Sequence, residues 1–169
     1  MTTDVPIQRP GAHAAPLTHG TLALAGLAGT AGFIHLIAMI EHLGVEWTLA
    51  LFFAAVAVAQ LAAGWWIYRD GDDTRLLVVT AAGSVFVALL WLFSRTTGLS
   101  FGPEQGRRAV GVGDTVSSSL EVMFAGLAGL RLRHGAQRLS WLSSGMGIRL
   151  TFMVLSLALM LAALGGHEH

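Results

Sequence analysis

HLIAMIEHLGVEW, residues 35–47, ends the first long apolar run of the chain and carries two imidazoles, a thioether and two carboxylates. A bilayer core accepts such groups only at a high free-energy cost, so they normally turn toward the interior of a helix bundle. We therefore interpret this stretch as the polar outer end of a transmembrane helix. The other apolar runs are expected to pack around it.

The composition is typical of a membrane protein. Hydrophobic residues make up 54% of the 169 residues, charged residues only 12%, and the mean hydropathy is +0.65, whereas soluble domains carry about a quarter charged residues. The net charge of +0 gives no basic field for nucleic acid. Because cysteine is absent from the sequence, disulfides, thiolate metal sites and Fe–S clusters are excluded. We expect the lipid bilayer as partner, with a homo-oligomer or a larger membrane complex left open.

Several apolar runs are long enough to cross a bilayer at about 1.5 Å per residue. We predict an all-α fold, an integral membrane bundle of five transmembrane helices. The spans are predicted at about residues 20–43, 47–68, 76–94, 115–132 and 147–164. The domain organisation is predicted as a flexible cytoplasmic tail at 1–17, the helical bundle at 18–165 and a His-rich C-terminal tail at 166–169.

The arginines predict the orientation of the bundle. Seven of them fall in segments on the side of the N-terminus, and three fall on the opposite side. Short cytoplasmic loops are enriched in positive residues, so the N-terminus is predicted to be cytoplasmic. Residues 35–47 and the Gly-rich loop at 94–113 are then predicted to face outward.

One face of the first span carries a polar stripe. His35, Met39 and His42 follow an i, i+4, i+7 spacing, and Glu46 continues it if the helix extends past Gly44. Such a face is expected to turn away from lipid.

The fourth span offers matching carboxylates. Asp114 and Glu121 are seven residues apart, and this span runs opposite to the first. His35 and Glu121 are therefore predicted at one depth, about 10 Å inside the outer surface, with His42 and Asp114 matched at the surface. Arg95, at the outer end of the third span, is expected to pair with one of the two carboxylates or to extend to the headgroups.

These residues predict an outward-facing pocket that binds or handles a transition metal or another small ligand. The candidate ligands are His35, Met39, His42, Asp114 and Glu121. Secondary candidates are Glu41, Glu46, Arg95, His167 and His169. Imidazole, carboxylate and thioether ligands suit copper or zinc, and haem b is the rival cofactor. The spacing is not a recognised ligand motif.

Other functions stay open at this stage. His35 and Glu121 could form a buried structural pair, since polar side chains often join helices in membranes, and Gln60 is expected to make an interhelical hydrogen bond of this kind. The chain could then be a non-catalytic accessory subunit of a membrane complex, or a proton-coupled carrier that uses the same pair. Hydrolytic and phosphate-binding motifs are absent from the sequence, so it does not favour an enzyme.

Two segments resemble a group of small multi-pass bacterial membrane proteins without an assigned function. The first reads His35…Glu41-His42…Glu46-Trp47. The second reads Ser94-Arg95-Thr96-Thr97-Gly98, then Gly102-Pro103-Glu104, with Asp114 and Glu121 following. The resemblance implies that the outer polar residues and the Arg-Thr-x-Gly loop belong together. It also implies the cytoplasmic (inner) membrane of a bacterium as the location, and it brings no activity with it.

Overall fold

The fold is built from helices. The computed structural model describes residues 18–71, 73–98, 111–134, 149, 151–158 and 160. Its four complete helices are α1 (His19–His42), α2 (Trp47–Asp70), α3 (Thr74–Thr96) and α4 (Val112–His134), and residues 151–158 belong to a fifth. The predicted all-α class is confirmed. Both predicted tails, with His167 and His169, lie outside the described residues.

Three helices in the described part of the chain, α1, α2 and α3, are long and apolar enough to cross a membrane. This indicates a membrane protein. The helix α4 has 23 residues, which is a sufficient length, but it carries Asp114 in its first turn and two arginines in its last. It also buries Glu121, and these charges make it less apolar than the first three.

The helices begin and end where local chemistry satisfies their terminal backbone groups. Thr18 caps α1, with its Oγ1 atom accepting a hydrogen bond from the Thr21 amide at 3.2 Å. At the C-terminal end of α2, Gly71 adopts a φ of 87°, which glycine reaches without a Cβ clash. The chain then turns directly into α3.

Asp73 caps α3, and we expect Asp73→Ala to destabilise the protein by about 1 kcal/mol. Its Oδ1 atom accepts from the backbone amides of Arg75 and Leu76 at 2.9 and 3.1 Å. Unfolding in mixed micelles would measure the change. Asp70→Ala is the control, because its pair with Arg69 is exposed to solvent and contributes little to stability. Equal losses in the two variants would contradict the capping role.

The helices pack in the order α2, α1, α4, α3. The contacts of α1 with α2 and of α3 with α4 are extensive, α1 also packs on α4, and α2 barely touches α3. The shared core lies mainly between α1 and α4, where Leu24, Phe124 and Ala128 are almost fully buried. Large apolar side chains on α2 and α3 point outward, among them Val58 and Val79. Such surfaces are expected against lipid rather than water.

Glycines let α1 and α2 approach closely, as small residues do in membrane bundles. A Cβ atom on Gly64 would lie 3.0 Å from the carbonyl oxygen of Ala25 and 3.1 Å from the amide nitrogen of Gly29. A Cβ atom on Gly32 would lie 2.9 Å from Cγ of Leu61. The backbones of the two helices are therefore nearly in contact.

Candidate functional site

Four polar side chains from three helices meet inside the bundle: His35 of α1, Gln60 of α2, and Ser117 and Glu121 of α4. All four are buried, and Glu121 is only 1% exposed. The Nε2 atom of His35 lies 3.3 Å from Oε1 of Glu121 and 3.2 Å from Oγ of Ser117. Gln60 donates a hydrogen bond from Nε2 to the same carboxylate oxygen. We call these residues the buried polar cluster.

Two acceptor atoms of the cluster have no hydrogen-bond partner in the described part of the chain. They are Oε2 of Glu121 and Oε1 of Gln60, both without measurable exposure. A buried polar atom without a partner costs free energy, and in most proteins it has a partner or a functional reason. Both atoms are acceptors, so what they lack is a donor or a cation. The simplest such group is a proton on the carboxyl group.

The pair of His35 and Glu121 can hold one proton in two electrically balanced ways. A neutral imidazole can face a carboxylic acid, or an imidazolium can face a carboxylate. The two states differ only in the position of that proton, and the contact of 3.3 Å between Nε2 and Oε1 joins the two sites. Among the described residues that contact the pair, Gln60 and Ser117 do not titrate at physiological pH.

An aromatic ring of α2 covers the outer side of this cluster. Phe53 stacks on His35 with ring centroids 5.8 Å apart and an angle of 18° between the planes. The same ring contacts His42 at 5.1 Å. His42 hydrogen-bonds through Nδ1 to the carbonyl oxygen of Ala38 at 2.8 Å. This contact holds the imidazole of His42 against its own helix.

A second polar pair joins the end of α3 to the start of α4. Arg95 of α3 donates from Nη2 to Oδ2 of Asp114 on α4. Asp114 thus binds the guanidinium of Arg95, whereas His42 hydrogen-bonds to the carbonyl oxygen of Ala38; the predicted match of His42 with Asp114 in depth stays a prediction. The pairing of Arg95 with Asp114 was one of the expected alternatives. Only 10% of the Arg95 side chain is exposed, against 38% for Asp114.

The remaining candidates do not join the cluster. Met39 is half-buried, and Glu41 is exposed. The chain leaves the helix after His42, and Glu46 becomes the residue before α2, so the stripe does not continue to Glu46. In the described part of the chain, no three His, Asp or Glu residues lie close enough together to hold a metal ion.

Two residues of the site were not singled out from the sequence. Ser117 lies four residues before Glu121, so the helical repeat places it on the same face of α4, and that spacing could have identified it. Nothing in the sequence marks Phe53 among the many apolar residues of α2. Gln60 makes the interhelical hydrogen bond expected of it, with Glu121 as the acceptor.

The site therefore consists of a buried His and Glu pair with amide and hydroxyl partners, and of a separate Arg and Asp pair nearer the outer end of the bundle. No protein-family model, curated protein or solved structure matches this chain. The function must accordingly be argued from the geometry alone.

Proposed function

We propose that this chain is a multi-pass membrane protein that binds and releases a proton at the pair of His35 and Glu121. One observation carries the proposal. Glu121 is fully buried, shares one oxygen with His35 and Gln60, and has no partner for its other oxygen among the described residues. Intramembrane carboxylates with a histidine partner are characteristic of proton relays.

The chemistry needs no other reactant than a proton. Protonation of Glu121 removes the buried negative charge. A proton on Oε1 lies in the contact with Nε2 of His35, and its transfer to an unprotonated Nε2 produces the charged pair, in which Nε2 donates to Oε1. The hydroxyl of Ser117, 3.2 Å from Nε2, can both accept and donate, so it offers the next step of a relay.

A transition-metal function receives less support from the same geometry. The cluster supplies one imidazole and one carboxylate, whereas zinc sites use at least three protein ligands. His42 contacts Phe53 rather than the cluster. Haem b would need a ring nitrogen of His35 as a ligand, and Nε2 already contacts Glu121 and Ser117. We therefore do not propose a copper, zinc or haem site, and the experiment below would detect one.

Infrared difference spectroscopy tests the proposal. We expect a pH change to produce a carboxylic acid C=O band in the purified protein, and we expect Glu121→Gln to abolish it completely, because the amide keeps the shape but cannot titrate. Asp114→Asn is the control and should leave the band of Glu121 in place. A band that survives Glu121→Gln, or no band in the parent protein, would contradict the proposal and favour an accessory subunit. Elemental analysis of untagged protein should find less than one metal ion per chain.

We also propose that α4 and the fifth helix cross the membrane, with the N-terminus in the cytoplasm. The support is the packing of α4 between α1 and α3. Its acidic groups lie in its first turn or in the buried cluster, and its basic groups lie in its last turn. The arginine asymmetry supports the orientation.

Cysteine labelling tests the orientation directly, because the chain has no cysteine of its own. Val45→Cys, in the exposed turn after α1, is expected to react with a membrane-impermeant maleimide on intact cells. Arg75→Cys, exposed at the start of α3, is expected to react only after permeabilisation. The reverse pattern would contradict the proposed orientation. Labelling of both positions on intact cells would contradict α2 as a membrane span, because α2 separates the two positions.

A further inference from the structure

A groove on the surface of α3 and α4 lies outside the buried polar cluster. Its volume is about 720 Å³, which falls within the size of ordinary ligand pockets. The lining is almost entirely apolar and includes Leu89 and Leu92 of α3 and Val122 and Met123 of α4. All four of these side chains are exposed, so the groove opens on the face that meets lipid if the helices span a bilayer.

Two side chains near one end of this groove carry hydrogen-bond donors without partners among the described residues. Trp91 lines the groove, and its indole nitrogen Nε1 is buried without an acceptor there. Arg95 lies one helical turn closer to the end of α3, outside the groove lining, and its Nε and Nη1 atoms are buried without partners in the described part of the chain. Its third nitrogen binds Asp114, which directly precedes the groove residue Thr115. The groove end at Trp91 and Thr115 is therefore close in the chain to a guanidinium with unused donors.

From this arrangement we propose that the groove holds one acyl chain of a zwitterionic phospholipid with a primary ammonium in its headgroup. The planar guanidinium fork suits a phosphate, because it can donate two parallel hydrogen bonds. The indole of Trp91 can donate to an ester carbonyl below the phosphate. This site is separate from the proposed proton site and does not depend on it.

The charge pattern selects the headgroup. Arg95 and Asp114 together carry no net charge, so the site does not favour an additional anion. A headgroup that offers a phosphate to Arg95 and an ammonium to the partly exposed carboxylate of Asp114 matches both charges in turn. A quaternary ammonium lacks the N–H donors for the second contact, and a glycerol headgroup lacks the positive charge.

Native mass spectrometry of the detergent-purified protein tests the proposal by adding phosphatidylethanolamine. We expect one lipid per chain to bind tightly, and Arg95→Leu to weaken it roughly tenfold or more, because a hydrogen bond to a charged group contributes at least that factor. Gly126→Leu should block binding, because Gly126 lines the groove and a side chain there meets open space. Gly129→Leu, on the same helix with equally open surroundings and outside the groove, is the matched control.

The outcomes separate the possibilities. Binding that is lost in the Arg95 and Gly126 variants but kept in the Gly129 variant supports the site. Equal binding in all four proteins would overturn it, because the lipid would then be part of the unspecific annulus. Equal affinity for phosphatidylglycerol or phosphatidylcholine would overturn the charge matching with Asp114. A folded parent protein that binds no phosphatidylethanolamine would overturn the proposal as a whole.

Discussion

Gly64→Leu is expected to lower the free energy of unfolding by about 3 kcal/mol, the upper part of the range for overpacked interiors. The reason is the approach of α2 to α1, where a Cβ atom on Gly64 would lie 3.0 Å from the carbonyl oxygen of Ala25 and 3.1 Å from the amide nitrogen of Gly29. Both atoms belong to the backbone of α1, so neither can move aside by a rotamer change. The two helices would have to separate, and the side chains between them would lose contact.

Unfolding in mixed micelles, with helical circular dichroism as the signal, measures this loss. Gly83→Leu is the matched control, because a Cβ atom on Gly83 of α3 meets nothing within 4 Å. There the removal of a glycine from a helix interior should be neutral or stabilising by a few tenths to about 1 kcal/mol. If Gly64→Leu proved as stable as Gly83→Leu, the close packing of α1 on α2 would be contradicted.

The helical fold could be predicted from the sequence because its signal is local. The apolar runs that became α1, α2 and α3 meet the length that hydrocarbon requires. The contact of His35 with Glu121 was also predictable, because two antiparallel helices of similar length set their residues at related depths. These inferences needed only the helical rise and the direction of each helix.

The partners at the outer end of the bundle were harder to predict, because they depend on where each helix stops. The chain turns after His42, so Glu46 leaves the stripe of α1 and precedes α2. Arg95 lies next to the last residue of α3, which brings it to Asp114 in the first turn of α4 rather than to Glu121 two turns deeper. The residue at which a helix ends depends on packing in three dimensions, so the spacing of residues in the sequence does not predict these pairs.

The aromatic cover of the cluster was beyond sequence reasoning for a related reason. Phe53 is one of many apolar residues on α2, and only the rotation of α2 against α1 places its ring between His35 and His42. The close approach of the same helices at Gly32 and Gly64 limits how far α2 could rotate against α1 without a backbone clash.

Glu121→Leu is expected to destabilise the protein by about 3 kcal/mol, the lower end for a buried ion pair that loses one partner. The substitution removes the acceptor of both His35 and Gln60. The buried amide of Gln60 would then lack its partner, and His35 would keep only the hydroxyl of Ser117. Unfolding in mixed micelles measures the change, and a loss below 1 kcal/mol would contradict the buried contacts.

The triple variant His35→Leu, Gln60→Leu and Glu121→Leu distinguishes a functional cluster from a structural one. Removing these three partners together leaves only the hydroxyl of Ser117 without its contact to His35, and apolar replacements of buried polar networks are often neutral or stabilising. We therefore expect the triple variant to regain most of the stability that Glu121→Leu loses, while the carboxylic acid band in the infrared spectrum disappears. If the protein is as stable without the cluster as with it, stability does not explain why the cluster is present, and proton chemistry does. If the triple variant instead unfolded more readily than the single one, the cluster would be a determinant of helix register, and the proton proposal would lose its main support.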